Sequence, residues 1–393
     1  MEISKLIQDQ FQTISRLILI LMLFLTGCSS ATESNSDEDF GECEPGPYFT
    51  HLPVDQEQIN YFLVLGKLSP PGDVFPRGQT GIQLKRTGLT PVYAVGDVEI
   101  RFIERSRWLS SAFREGHSDY SISFEIPDCR AIYGNYEHMD ILDESLEAYL
   151  ADAECEIYST ESETIESCGT RVELPVSAGT VIGQAGGFFT GLDFDLFDRR
   201  VYFDFVEVDR YPMARWAICP QYLFIDPLRD ILLDKTGRFE TRRTAEPRCG
   251  TMEIDIAGTA QGMWVLDGHD VTLTAQHYDK FFALAPHEIE PEKYLVLVTA
   301  HSSFRMSGNY HLFRFELEES GRVNRRFSEL ESDETVYCYE SEAFHHNVVS
   351  FLMAYGADDK ITIERVDHEP GSSPCAESAE SWVFSESAIK LMR

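Results

Sequence analysis

Short apolar runs that alternate with polar residues, broken every few positions by Gly, Pro, Asp or Asn, limit what this chain can become. Met252, Ile254 and Ile256 alternate with Glu253 and Asp255, and Phe313, Phe315 and Leu317 with Arg314, Glu316 and Glu318. A period of two places apolar side chains on one face of a strand, so these runs read as half-buried strands of antiparallel sheets. Phe62 to Leu65 and Tyr294 to Val298 are apolar throughout and read as core strands, covered on both faces. Helical periodicity is scarce. Its best instance is Ile141 to Ala153, where Leu142, Leu146, Tyr149 and Leu150 fall on one face. The expected fold class is therefore mainly β, with antiparallel sheets and few short helices. A chain of 393 residues exceeds one ordinary domain. Prolines at Tyr211-Pro212 and Cys219-Pro220 suggest a division near residue 210. Residues 46–209 are expected to form one β domain and residues 210–393 a second, a barrel or a sandwich.

The N-terminal segment carries an address. Leu25-Thr26-Gly27-Cys28 has the form of a bacterial lipoprotein cleavage box, preceded by the apolar run Leu17 to Phe24. That run is too short to span a bilayer as a helix and reads as the core of a signal peptide, residues 1–27. Cleavage before Cys28 would leave its sulfur lipidated, and two or three acyl chains hold a protein firmly where one does not. Residues 28–45, rich in Ser, Asp and Glu, read as a flexible tether. Ser29 carries no retention signal of the aspartate kind, so the expected location is the cell envelope, at the outer membrane.

Eight cysteines follow Cys28: Cys43, Cys129, Cys155, Cys168, Cys219, Cys249, Cys338 and Cys375. An even number in an exported chain points to four disulfides. Proximity in sequence favours Cys155–Cys168, Cys219–Cys249 and Cys338–Cys375, leaving Cys43–Cys129. No Cys-x-x-Cys occurs and no Cys/His cluster has zinc-finger spacing, so these read as staples, not ligands. Lys and Arg total 33 against 66 Asp and Glu, a net charge of −33. Nucleic acid, which needs a basic surface, is thereby excluded as a partner, and an anionic lipid face is a poor one. The excess acid reads as a solvated, self-repelling surface.

Four segments in order carry a resemblance. Thr80-Gly81-Ile82-Gln83 is followed by Thr90-Pro91-Val92-Tyr93-Ala94-Val95-Gly96-Asp97-Val98, then by Tyr136-Glu137-His138-Met139. Val176-Ser177-Ala178-Gly179-Thr180-Val181-Ile182-Gly183 then leads to Gly191-Leu192-Asp193-Phe194-Asp195. Over roughly residues 60 to 205 this order resembles the lysostaphin-type (LytM-like) zinc endopeptidases, which cut peptidoglycan cross-bridges. The resemblance implies an antiparallel β-sheet domain with a groove, and in it Gly179 and Gly183 would flank a buried Val181-Ile182 pair at tight turns. In the family, two histidines and an aspartate hold zinc, which activates a water. The first ligand falls here on Gln79, the aspartate ligand on Gln83, the last zinc histidine on Asp193 and a catalytic histidine on Gly191. Only His138 stands where a catalytic histidine would. An amide cannot replace imidazole at a tight zinc site, so the expected metal and cofactor are none. The second half is similar to the C-terminal part of uncharacterised bacterial lipoproteins, at Ala217-Ile218-Cys219-Pro220, Gly250 to Ile256, Gly262-Met263-Trp264 and Val336 to Tyr339. Ile254-Asp255-Ile256-Ala257-Gly258 running into Trp264 is also similar to small ligand-holding β-barrels that a tryptophan closes at one end.

Other chemistry is thin. No Gly-x-Ser-x-Gly elbow, P-loop or His-Glu-x-x-His stretch occurs. His345-His346 point to opposite faces if on a strand, which makes joint ligation awkward. Asp193, Asp195 and Asp198 offer oxygens for calcium without EF-hand spacing. Trp108, Trp216, Trp264 and Trp382 read as core. The expectation is a lipid-anchored, non-catalytic pseudo-peptidase. Its groove, with His138, Glu137 and Gly191, would bind peptidoglycan or an envelope protein. The alternatives are an active metal-dependent envelope hydrolase using His138 and Glu137, and a purely structural surface lipoprotein.

Overall fold

Alternating apolar residues do organise the chain into antiparallel strands, in two sheets. The structure, a computed structural model, describes Cys43 and residues 46–68, 76–86, 88–160, 162–207, 214–269, 279–304, 310–315, 321–342, 349–369 and 371–393. The cleavage box with Cys28, the tether apart from Cys43, Tyr211-Pro212 and His345-His346 lie outside them.

The first sheet holds β1 (Ile59–Leu63), β2 (Gly81–Leu84), β3 (Thr90–Tyr93), β4 (Val98–Ser111), β5 (Ser118–Ile126), β6 (Cys129–Leu142), β7 (Glu154–Ser159), β8 (Glu163–Val176), β9 (Val181–Ala185), β10 (Gly191–Asp198) and β11 (Ala217–Ile218). Its main path runs β1-β2-β10-β6-β5-β4-β8-β7. β11 adds to β10, and β9 bridges β3 and β6. A two-stranded ribbon follows, β12 (Gly237–Arg238) and β13 (Thr241–Arg242). The second sheet holds β14 (Gly262–Leu266), β15 (Phe281–Pro286), β16 (Tyr294–Thr299), β17 (Tyr310–Arg314), β18 (Val336–Glu340), β19 (Val349–Gly356), β20 (Lys360–Asp367) and β21 (Ile389–Met392). It runs β17-β16-β15-β14-β21-β20-β19-β18 and curls into a nearly closed barrel.

Strands on both sides of residue 210 belong to the first sheet, because Leu196 and Phe197 of β10 pair with Ile218 and Ala217 of β11. Thr236 and Gly250 also bridge to Phe62 and Leu65. The second sheet begins only at Gly262.

Three apolar layers hold this together. Phe49, Phe124, Tyr136, Phe194 and Phe224 pack edge-on, tilted and, for Phe124 and Phe194, stacked under the first sheet, with centroids 5.1 to 6.4 Å apart. The barrel interior is filled by Trp264, Phe282, Leu284, Leu297, Phe313, Phe351 and their neighbours. Trp264 is wholly buried and donates from Nε1 to Ala260 O at 2.9 Å. Between the sheets lies the third layer, in which Phe197 and Ala217 meet Met263, Val265, Phe281, Val296 and Val298. The middle barrel strands are thus covered on both faces, which is why Tyr294 to Val298 is apolar without alternation.

Asn324 completes the barrel. Its Nδ2 donates to Arg314 O at 2.7 Å on β17 and to Glu340 O at 3.3 Å on β18, and its Oδ1 accepts Glu340 N at 2.8 Å. The residue sits at φ +48°, where asparagine is among the few side chains tolerated.

All four cysteine pairs form: Cys43–Cys129, Cys155–Cys168, Cys219–Cys249 and Cys338–Cys375. Two expectations need correction. Met252 to Ile256 is not a strand: Met252 and Ile254 enter the inter-sheet layer, while Ile256 is exposed. Asp255 instead accepts Met263 N at 2.6 Å and Val206 N at 3.2 Å, so its alternation reflects a backbone cap. The helix over Ile141 to Ala153 shrinks to α1 (Glu144–Glu147) and a 3₁₀ turn over Ala148–Asp152. β6 runs on to Leu142, and Asp143 caps the helix by accepting Ser145 N. Leu146 and Leu150 are buried, whereas Tyr149 is exposed. The longer helix is α2 (Leu228–Lys235).

Candidate functional site

The residues singled out along the chain come together on one face where β2, β10 and β6 lie side by side. Gln83 stands opposite Gly191 and Gly81 opposite Asp193, while Asp193 stands opposite Glu137 and Asp195 opposite Asn135. Residues two apart share a face, so Asp193, Asp195 and Glu137 look the same way. Leu192, Phe194 and Leu196 look the other way, into the aromatic core, and are wholly buried. The Gly-Leu-Asp-Phe-Asp-Leu pattern of β10 is a half-buried strand whose polar face is acidic.

His138 joins this face through a bulge. Between Tyr120↔Met139 and Ile122↔Tyr136, β6 spends one residue more than β5. The extra residue at φ +68° is His138, and bulges of this kind re-aim side chains. Its Nδ1 lies 2.9 Å from Asp119 Oδ2, and its Nε2 lies 3.5 Å from Asp193 Oδ2. Gln79 Nε2 approaches Glu137 Oε2 at 3.5 Å, and the Arg77 guanidinium donates to Gln79 Oε1. Gln83 is drawn aside: its Nε2 donates to Thr190 O at 2.5 Å, and Tyr61 OH reaches its Oε1 at 3.5 Å. Gln79, Glu137, His138 and Asp193 therefore converge. Gln83 borders them. Gly191 leaves an opening among the described residues, of which a Cβ there would meet only Ile82 O, at 3.7 Å. Gly81 allows the close approach, because a Cβ would lie 2.8 Å from Asp193 Oδ1.

Burial sets the electrostatics. It raises the Glu137 carboxyl, and the neighbouring Asp193 charge raises it further. Burial also raises Asp193, against the lowering pull of His138, Arg77 and Lys67. Asp195 is only 1% exposed, and burial followed by the charges of Asp193 and Glu137 lifts it well above the ordinary carboxylate range. Its Oδ1 accepts Thr80 N at 2.7 Å, but its Oδ2 has no partner. For His138, burial opposes the charge, yet the Asp119 hydrogen bond and the charges of Asp193, Asp119 and Glu137 outweigh it and raise the pKa. The imidazole is held between two carboxylates, which favour its charged form.

Beside the acids stands an aromatic rim that the sequence reading did not include. Phe189 lies 4.5 Å from the His138 ring, and Phe188 stacks on His117 at 4.2 Å. Trp108 also stacks with His117, at 5.9 Å, with the Arg114 guanidinium over the indole. Asp140 fixes the loop by accepting Gly187 N at 2.8 Å and Phe188 N at 2.6 Å. Gly187 carries no cue for this, but the Phe188-Phe189 pair before the Gly191 strand was the available signal.

Zinc does not fit the residues present. Gln79 and Gln83 are committed to Arg77 and Thr190, Gly191 offers nothing, and the ligating atoms of His138 and Asp193 are turned toward each other. No three His, Cys, Asp or Glu side chains among the described residues are placed to hold a metal ion together. Asp198 does not join Asp193 and Asp195 in a calcium site, because Arg200 takes both its oxygens at 2.9 and 2.7 Å. The paired glycines also differ from expectation. Gly179 turns at φ +78°, but Gly183 lies inside β9, where a Cβ would meet Ile141 O at 2.5 Å. Ile182 is buried and Val181 exposed. Of the four tryptophans, Trp108, Trp264 and Trp382 are buried and Trp216 is half-buried. Compared with known proteins, the chain matches no family model, no curated protein and no solved structure.

Proposed function

We propose that this is a non-catalytic binding protein of the bacterial cell envelope, tethered through lipid on Cys28, with the face of β2, β10 and β6 as its groove. The ligand is a peptidoglycan peptide or an envelope protein. The observation that carries this reading is the state of His138. A general base needs a free, neutral nitrogen near pH 7, whereas His138 has a carboxylate at each nitrogen and a raised pKa. With the amides Gln79 and Gln83, just before and within β2, where a metallopeptidase would present ligands, the groove keeps a shape for holding and lacks the parts for cutting. The test is retention of the purified protein on cell-wall sacculi, with wall digestion and bound metal measured alongside. Retention without digestion, weakened in Asp193→Asn, is expected. One tight zinc per chain would overturn the reading.

The alternative of an active envelope hydrolase draws on one feature, a Glu137 carboxyl whose pKa burial raises beside His138, the direction a general acid requires. Wall digestion that disappears in His138→Ala would establish it.

A further inference from the structure

Four carboxylates, Asp119, Glu137, Asp193 and Asp195, crowd the groove, and the described residues place one basic ring, His138, in direct contact with them. His138 occupies one oxygen of Asp119 and one of Asp193, while Asp119 Oδ1 is buried without a partner. Arg77 is engaged with Gln79, and its charge and that of Lys67 reach Asp193 from the β1–β2 side. Among the described residues Glu137 has one long contact, 3.5 Å from the Gln79 amide. Asp195 is nearly inaccessible, and its Oδ2, on the face shared with Glu137 and Asp193, has no donor. A buried carboxylate oxygen without a hydrogen bond costs more than almost any other single group. An isolated cluster of acids is ordinarily a solvated face, but an orphaned buried oxygen beneath it marks a place where a donor is missing.

We infer that the group this groove receives is a primary ammonium on an apolar stem, as a lysine-like side chain carries, seated among Glu137, Asp193 and Asp195 with its stem along Phe188 and Phe189. This rests on the binding reading above and specifies its ligand. The strand geometry suits it. Same-face neighbours on β10 are about 7 Å apart, and partners across to β6 about 5 Å. An ammonium between them donates three N–H bonds in three directions. A divalent cation needs several oxygens drawn in to about 2.4 Å, which this spacing does not offer. The aromatic rim supplies the rest. Phe189 packs against His138 and Phe188 is 44% exposed, so a methylene stem finds apolar cover and the ammonium a ring face. The open face above Gly191 is the way in.

The full lipid-bearing chain in detergent is titrated with a blocked Ala-Lys-Ala peptide and with the same peptide acetylated on the lysine nitrogen. The amine peptide is expected to bind at least about tenfold more tightly, and Glu137→Gln or Asp195→Asn to weaken it by about tenfold or more. Equal binding of the two peptides, or binding of neither, overturns the inference. So does calcium or zinc that binds one to one and displaces the peptide. If a variant fails to fold, the two peptides on the unaltered chain still decide. Sacculi retained while neither peptide binds would sink the ammonium and spare the binding function. Amine binding without sacculus retention would do the reverse and direct the search to a lysine-bearing protein partner.

Discussion

Asp195 shows how one residue sets the character of the groove. Its pKa and those of Glu137, Asp193 and His138 are all raised, so the folded chain holds protons that the unfolded chain has already released. The sign follows from linkage. For the acids, stability falls as pH rises from the ordinary values of 3.8 and 4.5 through the higher folded ones. The His138 contribution is complete below 6.5 and is lost as pH rises through its own folded value. Asp195→Asn keeps the oxygen that accepts Thr80 N and removes the charge. It is expected to stabilise the fold by about 1–3 kcal/mol near neutral pH and to gain progressively less as pH drops toward about 4. Thermal unfolding of both proteins across that range checks this, and a variant less stable than the parent at neutral pH would refute it. The sequence pointed to Gln79, Glu137, His138 and Asp193 through a resemblance in the order of motifs, and motif order survives in a string of letters. It could not point to Asp119. That residue pairs with His138 only because a bulge in β6 turns the imidazole toward β5, and no local residue pattern announces the bulge.

Among the elements, the second sheet poses the sharpest question, since an open sheet of eight strands exposes two edges to other chains. Here the Asn324 side chain joins the edges β17 and β18, alongside the Arg314–Glu342 ion pair and the Phe313–Tyr339 ring contact. Asn324 donates to one carbonyl on each edge, and Glu342 N adds a direct bond to Leu312 O at 2.7 Å. Asn324→Ala would leave Arg314 O, Glu340 O and Glu340 N without that partner. The expected cost is about 2–4 kcal/mol, with faster amide exchange at Glu340 and a greater tendency to associate. Asn324→Gly, which removes only the side chain and eases the positive φ, is expected to lose slightly less stability. Urea unfolding and hydrogen exchange read both. The strands that form this barrel were legible at Tyr294 to Val298, where an unbroken apolar run means cover on two sides. At Met252 to Ile256 the same alternation misled. Two apolar residues anchor a loop there, and Asp255 serves backbone N–H groups, so a period of two arose without a ladder.

For the whole molecule, the layer between the sheets decides whether the described fold behaves as one body. Phe197 and Ala217 of the first sheet share it with Met263, Val265 and Phe281 of the second. Neither sheet can keep its apolar face dry without the other. Phe281 is fully buried, and Phe281→Ala is expected to cost about 3–5 kcal/mol. Because the layer is shared, calorimetry should show one transition moving as a unit; two separating transitions would mean that each sheet stands alone. The same scale governs attachment. With 66 acidic residues against 33 basic ones, the chain is repelled by an anionic lipid surface. No helix among the described residues is long and apolar enough to cross a membrane. The lipid proposed on Cys28 would hold the chain through acyl chains that contribute about 0.8 kcal/mol per buried methylene, ample for two or three chains and marginal for one. Cys28→Ser in living cells is therefore expected to shift the protein from the membrane fraction to the soluble fraction or to uncleaved precursor. A variant that stays membrane-bound after correct processing would show that another surface of this acidic molecule does the holding.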